Sequence, residues 1–63
     1  MKILKNQIQC RGCGEIIESK FEHDFVTCSC GKCSVDGGNA YLRRLAASKE
    51  SYTELSILEK INE

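Results

Sequence analysis

Apolar positions fall in short runs along this chain, and the period of the runs changes near the C-terminal end. Ile3, Leu4 and Ile8 stand among lysines and amides, a pattern that predicts a strand with Lys2 and Lys5 in water. Glu15-Ile16-Ile17-Glu18-Ser19 predicts a second strand whose adjacent isoleucines face opposite sides. Lys20 to His23 is polar and reads as a turn. Asp24-Phe25-Val26-Thr27 then supplies the aromatic and β-branched residues of a third strand. Ser34-Val35-Asp36 predicts a short closing strand, ended by the turn signal Gly37-Gly38. The segment Tyr41 to Ala47 has helical propensity but spans barely two turns. Beyond it, Tyr52, Leu55, Leu58 and Ile61 recur every three residues, and Ser51-x-x-Glu54 has the form of a capping box, so a helix is predicted from about 52 to 61. An isolated helix of that length is marginal in water. It must dock on the rest of the chain, on a second copy, or on a partner.

The cysteines give these strands a centre. Cys10-Arg11-Gly12-Cys13-Gly14 and Cys28-Ser29-Cys30-Gly31-Lys32-Cys33 hold all five, with fourteen residues between Cys13 and Cys28. Two glycine-closed cysteine turns separated by enough chain for a hairpin are what a zinc ribbon requires, and four thiolates complete a closed tetrahedral site with no open position. Gly14 is expected at positive φ, with its N–H aimed at sulfur. The second turn offers three thiols for two places. Cys28 with Cys30 puts Gly31 after the last ligand, as Gly14 follows Cys13. Cys30 with Cys33 keeps the commoner Cys-x-x-Cys spacing but puts Ser34 after it. The first pairing is preferred, which makes Cys10, Cys13, Cys28 and Cys30 the ligands of one structural Zn²⁺ and Cys33 a spare or buried thiol. His23, in a polar turn, is expected to be exposed rather than a ligand.

The predicted fold is therefore a small zinc-stabilised β domain. Residues 1–47 form a zinc ribbon of three or four short antiparallel strands, and residues 48–63 form a C-terminal amphipathic α-helix of the same domain. At 63 residues the chain is near the lower limit for folding alone. Its small core roughly cancels the entropy of ordering, and a structural zinc, at an apparent ~10–16 kcal/mol, decides the outcome. An odd cysteine count and the absence of a signal-like apolar segment after Met1 point to a reducing, cytoplasmic setting. No apolar run approaches the ~20 residues that would span a membrane.

Charge and chemistry narrow the function class. Nine basic and nine acidic side chains cancel, whereas proteins that rely on phosphate contacts are usually markedly basic. No nucleophile–base pair or phosphate loop is visible, and Glu15/Glu18 and Glu22/Asp24 read as solvated charges flanking strands, so an enzyme is not expected. Tyr41, Arg43 and Arg44 read equally as an interface anchor or as a packed tyrosine with two arginines in solvent. Leu55 and Leu58 on the predicted helix complete the candidate partner-binding set.

The chain resembles a family of very short zinc-ribbon proteins of bacteriophages, prophages and Gram-positive bacteria. The likeness covers roughly residues 8–56 and rests on Cys10-x-x-Cys13-Gly14, Ile17-Glu18-Ser19-Lys20, His23-Asp24-Phe25-Val26, Cys28-Ser29-Cys30-Gly31, Val35-Asp36-Gly37-Gly38, Tyr41-Leu42-Arg43-Arg44 and Glu54-Leu55-Ser56. The family pattern carries the first four cysteines and none at the place of Cys33, which implies the same ligand set. It brings no activity, only a mobile-element setting in which small proteins often bind a host or anti-phage defence protein. The expected function is a non-enzymatic binding module for such a protein, with a homodimer as a further outcome. The alternative is a nucleic-acid-binding ribbon using Arg11, Lys20, Lys32, Arg43 and Arg44.

Overall fold

The computed structural model describes residues 2–59, which form seven short strands and one 3-10 turn. The longest strand, β1 (Lys2–Cys10), is the spine. Its second half pairs antiparallel with β2 (Ile16–Ser19), in a register that sets Asn6 opposite Ser19 and Gln9 opposite Ile16. A second, smaller antiparallel sheet runs β3 (Val26–Thr27), β4 (Ser34–Asp36) and β5 (Arg43–Leu45), with β4 in the middle. Along β1 the buried residues are Asn6, Ile8 and Cys10, the period-two signature of a strand with one face inward. Ile8 and Cys10 meet Ile17, Cys28, Cys33 and Val35 in a single small core, with Val26 and Tyr52 packed against it. Removing an isoleucine or valine of this kind from water stabilises the fold by roughly 1.5–3 kcal/mol. With six buried apolar residues, that core cannot hold the fold by itself.

The N-terminal strand, the isoleucine strand with Ile17 in and Ile16 out, and the closing strand at Ser34–Asp36 form as their patterns predict. The C-terminal helix does not. Among the described residues there is no α-helix. The 3-10 turn Lys49–Ser51 leads into β6 (Tyr52–Glu54) and then β7 (Ile57–Glu59). Both run antiparallel along β1, with Cys10 opposite Tyr52, Ile8 opposite Glu54, Ile3 opposite Leu58 and Lys2 opposite Glu59. Between them Leu55 N–H donates to the Gln7 carbonyl, and Ser56 Oγ accepts the Gln7 N–H. The physical reason is local. A ten-residue helix has little intrinsic stability, whereas β1 offers a row of unpaired N–H and C=O groups that an extended segment satisfies at once. Ser51 closes the 3-10 turn instead of capping a helix, and Ser48 is the N-cap, accepting from Glu50 N–H. Residues 52–59 thus belong to the first sheet rather than to an appended helix. Ile61, the last member of the predicted helical face, lies outside the described residues. The segment Tyr41 to Ala47 likewise contains the extended β5 and no helical stretch.

A polar fastening joins the two sheets. Asn6 is only 1% exposed, and its Nδ2 donates to the carbonyls of Asp36, Gly38 and Tyr41 at 2.9, 3.0 and 3.1 Å. Across the strand pair, Ser19 Oγ donates to the Asp24 carbonyl at 2.7 Å and accepts the Gly38 N–H at 2.9 Å. These bonds hold the Gly37-Gly38 turn, and both glycines have positive φ. A Cβ at Gly38 would sit 2.2 Å from the Phe21 backbone, and one at Gly37 would sit 2.1 Å from the Tyr41 carbonyl oxygen. No other residue fits there.

Candidate metal centre

Each cysteine turn is the loop of a hairpin. Cys10 N–H donates to the Glu15 carbonyl and closes the six-residue unit Cys10–Glu15 that joins β1 to β2. Cys28 N–H donates to the Cys33 carbonyl and closes an equivalent loop between β3 and β4. Gly14 and Gly31 carry φ of 78° and 77°, and each sends its N–H back to the carbonyl of the first cysteine of its loop. The expectation that Gly14 N–H reaches sulfur is corrected here. It is Gly12 N–H that points at Cys10 Sγ, at 3.3 Å.

The two loops converge so that the sulfurs of Cys10, Cys13, Cys28 and Cys30 all lie within 4.8 Å of one another. Cys10 and Cys30 are 3.5 Å apart, and Cys28 and Cys30 are 3.4 Å apart. A tetrahedron of sulfurs at ~2.3 Å from one ion has edges of ~3.8 Å, so the cluster has the dimensions of a four-thiolate site for one metal ion. Each loop contributes one buried cysteine, Cys10 or Cys28, and one exposed, Cys13 or Cys30. All five cysteines are free.

Loop equivalence explains where Cys33 goes. It occupies the closing position that Glu15 holds in the first loop, one residue before its strand begins. Its side chain is fully buried in the core, and its thiol donates to the Ser51 carbonyl at 3.4 Å. Glu15 has a different use. Its carboxylate accepts from both the backbone N–H and the hydroxyl of Ser29, tying the first loop to the second. Arg11 ties the first loop to the C-terminal segment, through its N–H to Ser51 O and its Nε to Thr53 Oγ1. The Lys32 stem lies 3.4 Å from where a Cβ on Gly12 would be.

The electrostatics favour a cation in this space. The Cys13 backbone N–H leads in holding the Cys10 thiol down to about 6, against burial and with help from Cys30 and Gly12. Cys30 goes the other way. Lys32 N–H pulls it down, but the neighbouring Cys28 sulfur, burial and Cys10 outweigh this and push it up to about 12. Burial, then Cys10, pushes the Cys33 thiol up to about 11. Four thiolates this close cannot all ionise unaided, and a divalent ion removes that repulsion.

The remaining candidates separate. Tyr41 and Arg43 are exposed. Arg44 is turned inward, its side chain 11% exposed, and pairs both carboxylate oxygens of Glu54 at 2.9 and 2.6 Å. It also donates to Asn6 Oδ1 and Ser56 Oγ. Leu55 is half-buried and Leu58 is exposed on β7. Both lie in the extended segment along β1, Leu55 between β6 and β7, and form no helical face. His23 is exposed and stands apart from the cluster. Sequence reasoning missed Phe21 and Phe25, which are 63% and 53% exposed. The signal was present: two phenylalanines within Lys-Phe-Glu-His-Asp-Phe cannot both enter a core from so polar a stretch. Among the described residues no helix is long and apolar enough to cross a membrane.

No curated protein and no solved structure matches the chain. A family model does: that of a domain of unknown function, DUF7695, matches residues 2–46, a span holding both cysteine loops and the first five strands. The chain belongs to that family.

Proposed function

We propose that this chain is a non-enzymatic zinc ribbon that binds another protein, with Cys10, Cys13, Cys28 and Cys30 holding one structural Zn²⁺. The observation that carries this reading is a group of exposed aromatic and apolar side chains around the Gly37-Gly38 turn. Phe21, Phe25, Tyr41 and Leu42 are all between 39% and 63% exposed. Phe21 backbone rests on Gly38 and the Tyr41 ring lies beside Gly37, while Asp24 N–H returns to the Phe21 carbonyl just before Phe25 in the chain. Aromatic side chains held on a rigid turn are the usual anchors of protein interfaces. The four-thiolate site supports the non-enzymatic part, since a closed tetrahedron leaves no position for substrate. In line with the family resemblance drawn from the sequence, the partner is a host or anti-phage defence protein and the setting is phage-encoded and cytoplasmic.

The nucleic-acid alternative draws less support. Of its five cations, Arg11 and Arg44 are engaged within the fold. The test is recovery of the tagged, zinc-loaded chain from nuclease-treated host lysate, beside a Phe21→Ser/Phe25→Ser/Tyr41→Ser variant. A stoichiometric protein retained by the parent and lost by the variant, at equal zinc content, supports the proposal. Binding to nucleic acid with a steep salt slope that falls on Lys32→Ala and Arg43→Ala supports the alternative.

A further inference from the structure

The four cysteines of the candidate metal centre are not equally open to solvent. Cys10 and Cys28 are buried, whereas Cys13 and Cys30 are exposed. The exposed Cys30 sulfur lies 3.5 Å from that of Cys10, in the other loop, and 3.4 Å from that of Cys28, in its own. Gly12 leaves an opening beside two of these atoms. A Cβ there would lie 3.5 Å from Cys10 Sγ and 3.7 Å from Cys30 Sγ, so the absent side chain uncovers both sulfurs together. Lys32 Cδ is 3.4 Å from the same point, which brings a basic side chain past the opening. Thiolates that are accessible, beside a positive charge and within reach of a second cysteine are the ones that oxidants select.

We infer that Cys30 and Cys10 form a hydroperoxide-sensitive pair, through which an oxidant discharges the metal site and leaves a disulfide between the two loops. The inference rests on the four-thiolate metal site proposed above and deepens it by naming its regulation. The chemistry balances in two steps. The Cys30 thiolate attacks hydrogen peroxide, breaking the O–O bond to give a sulfenic acid and one hydroxide. The Cys10 thiolate then attacks the Cys30 sulfur, forming the S–S bond and expelling a second hydroxide. Two electrons pass from the two sulfurs to the two peroxide oxygens. Only Cys13 and Cys28 then remain as thiolates of the original four, too few for a closed site. A bond from Cys30 to Cys28 would close over Ser29 alone and leave the loops unjoined. Cys33, fully buried, takes no part.

The test treats the full, reduced, zinc-loaded chain with one equivalent of hydrogen peroxide. A chromogenic chelator reads the zinc set free, and mass spectrometry of tryptic peptides, after free thiols are alkylated, reads the links. Trypsin places Cys10 in 6–11, Cys13 in 12–20, Cys28 with Cys30 in 21–32 and Cys33 in 33–43. The expected result is loss of one zinc per chain, with 6–11 joined to 21–32 through Cys30. Dithiothreitol and added zinc should reverse both changes. Gly12→Ala, whose methyl meets its neighbours at ordinary contact distances, should hold the same zinc and release it more slowly. Cys33→Ala should release it at the parent rate. A link from 6–11 to 12–20, any link to 33–43, zinc retained against peroxide, or release from Gly12→Ala as fast as from the parent each overturns the inference. Any of these results in a chain that carried zinc beforehand removes the redox pair alone. A reduced chain that takes up no zinc removes the metal-site reading, and this inference with it.

Discussion

Strand β1 is fastened at two points four residues apart, by two different chemistries. At Cys10 the fastening is a cluster of thiols: sulfurs from two hairpin loops surround a space sized for one metal ion. At Asn6 it is a web of neutral hydrogen bonds to three carbonyls of the second sheet and its turn, backed by the Arg44–Glu54 pair. Both join the same two sheets. The cysteine end would be switchable by a metal ion, because four thiolates so close together need a cation between them. The hydrogen-bonded end depends on shape, since it works only where two consecutive glycines let backbone approach backbone. A core of six buried apolar residues suffices because its central strand is pinned at its middle and at its C-terminal end.

Breaking the metal end should have the largest effect. Chelation, or Cys13→Ser with Cys30→Ser, should abolish cooperative folding, because a structural zinc contributes an apparent ~10–16 kcal/mol. The check is amide dispersion with and without chelator. If the dispersion survives, the hydrogen-bonded end holds the fold without metal.

The next largest effect belongs to the turn. Gly38→Ala combines a φ of +51° with a Cβ 2.2 Å from the Phe21 backbone, and should cost about 2–4 kcal/mol in the metal-loaded protein. Denaturant midpoints at saturating zinc measure it. Asn6→Leu keeps the branched shape of the side chain but strips three carbonyls and Arg44 of a partner, and should cost about 2–3 kcal/mol. An unchanged midpoint would mean that water replaces the amide.

The smallest effect sharpens the comparison through pH. Burial pushes the Glu54 carboxyl up, but hydrogen bonds from Arg44 and Ser56 and the Arg44 charge outweigh it and hold the group below its usual 4.5. A depressed carboxylate adds stability above its unfolded-state value and loses it as pH falls through the folded one. Glu54→Gln should therefore cost up to about 1 kcal/mol at neutral pH, the range of a partly exposed ion pair. The difference from the parent should shrink below the ordinary glutamate range.

The two fastenings were unequally legible. Cysteine spacing with a glycine after each turn announces a metal cluster, because few other arrangements need those residue types at those intervals. Strand signals at Ile16–Ile17 and at Ser34–Asp36 were equally local. Asn6 gave no such sign, since an amide between lysine and glutamine reads as a solvated strand position. Its role depends on contacts with residues 36, 38 and 41, thirty or more positions away. The C-terminal segment misled for a related reason. Three-residue spacing of apolar side chains is a helical cue only where no strand edge competes, and β1 competes along nearly its whole length. Arg44 looked like a free surface cation because its carboxylate partner lies ten residues on, in a strand that reads as helix.

Native mass spectrometry of the parent chain, Cys33→Ala and Cys30→Ser tests the central claim most directly. One zinc per chain in the parent and in Cys33→Ala, with binding impaired in Cys30→Ser, is the result expected of a site built from Cys10, Cys13, Cys28 and Cys30. A parent chain without metal, its mass lowered by the hydrogens lost to disulfides, or zinc that disappears with Cys33 while Cys30→Ser retains it, would contradict the account.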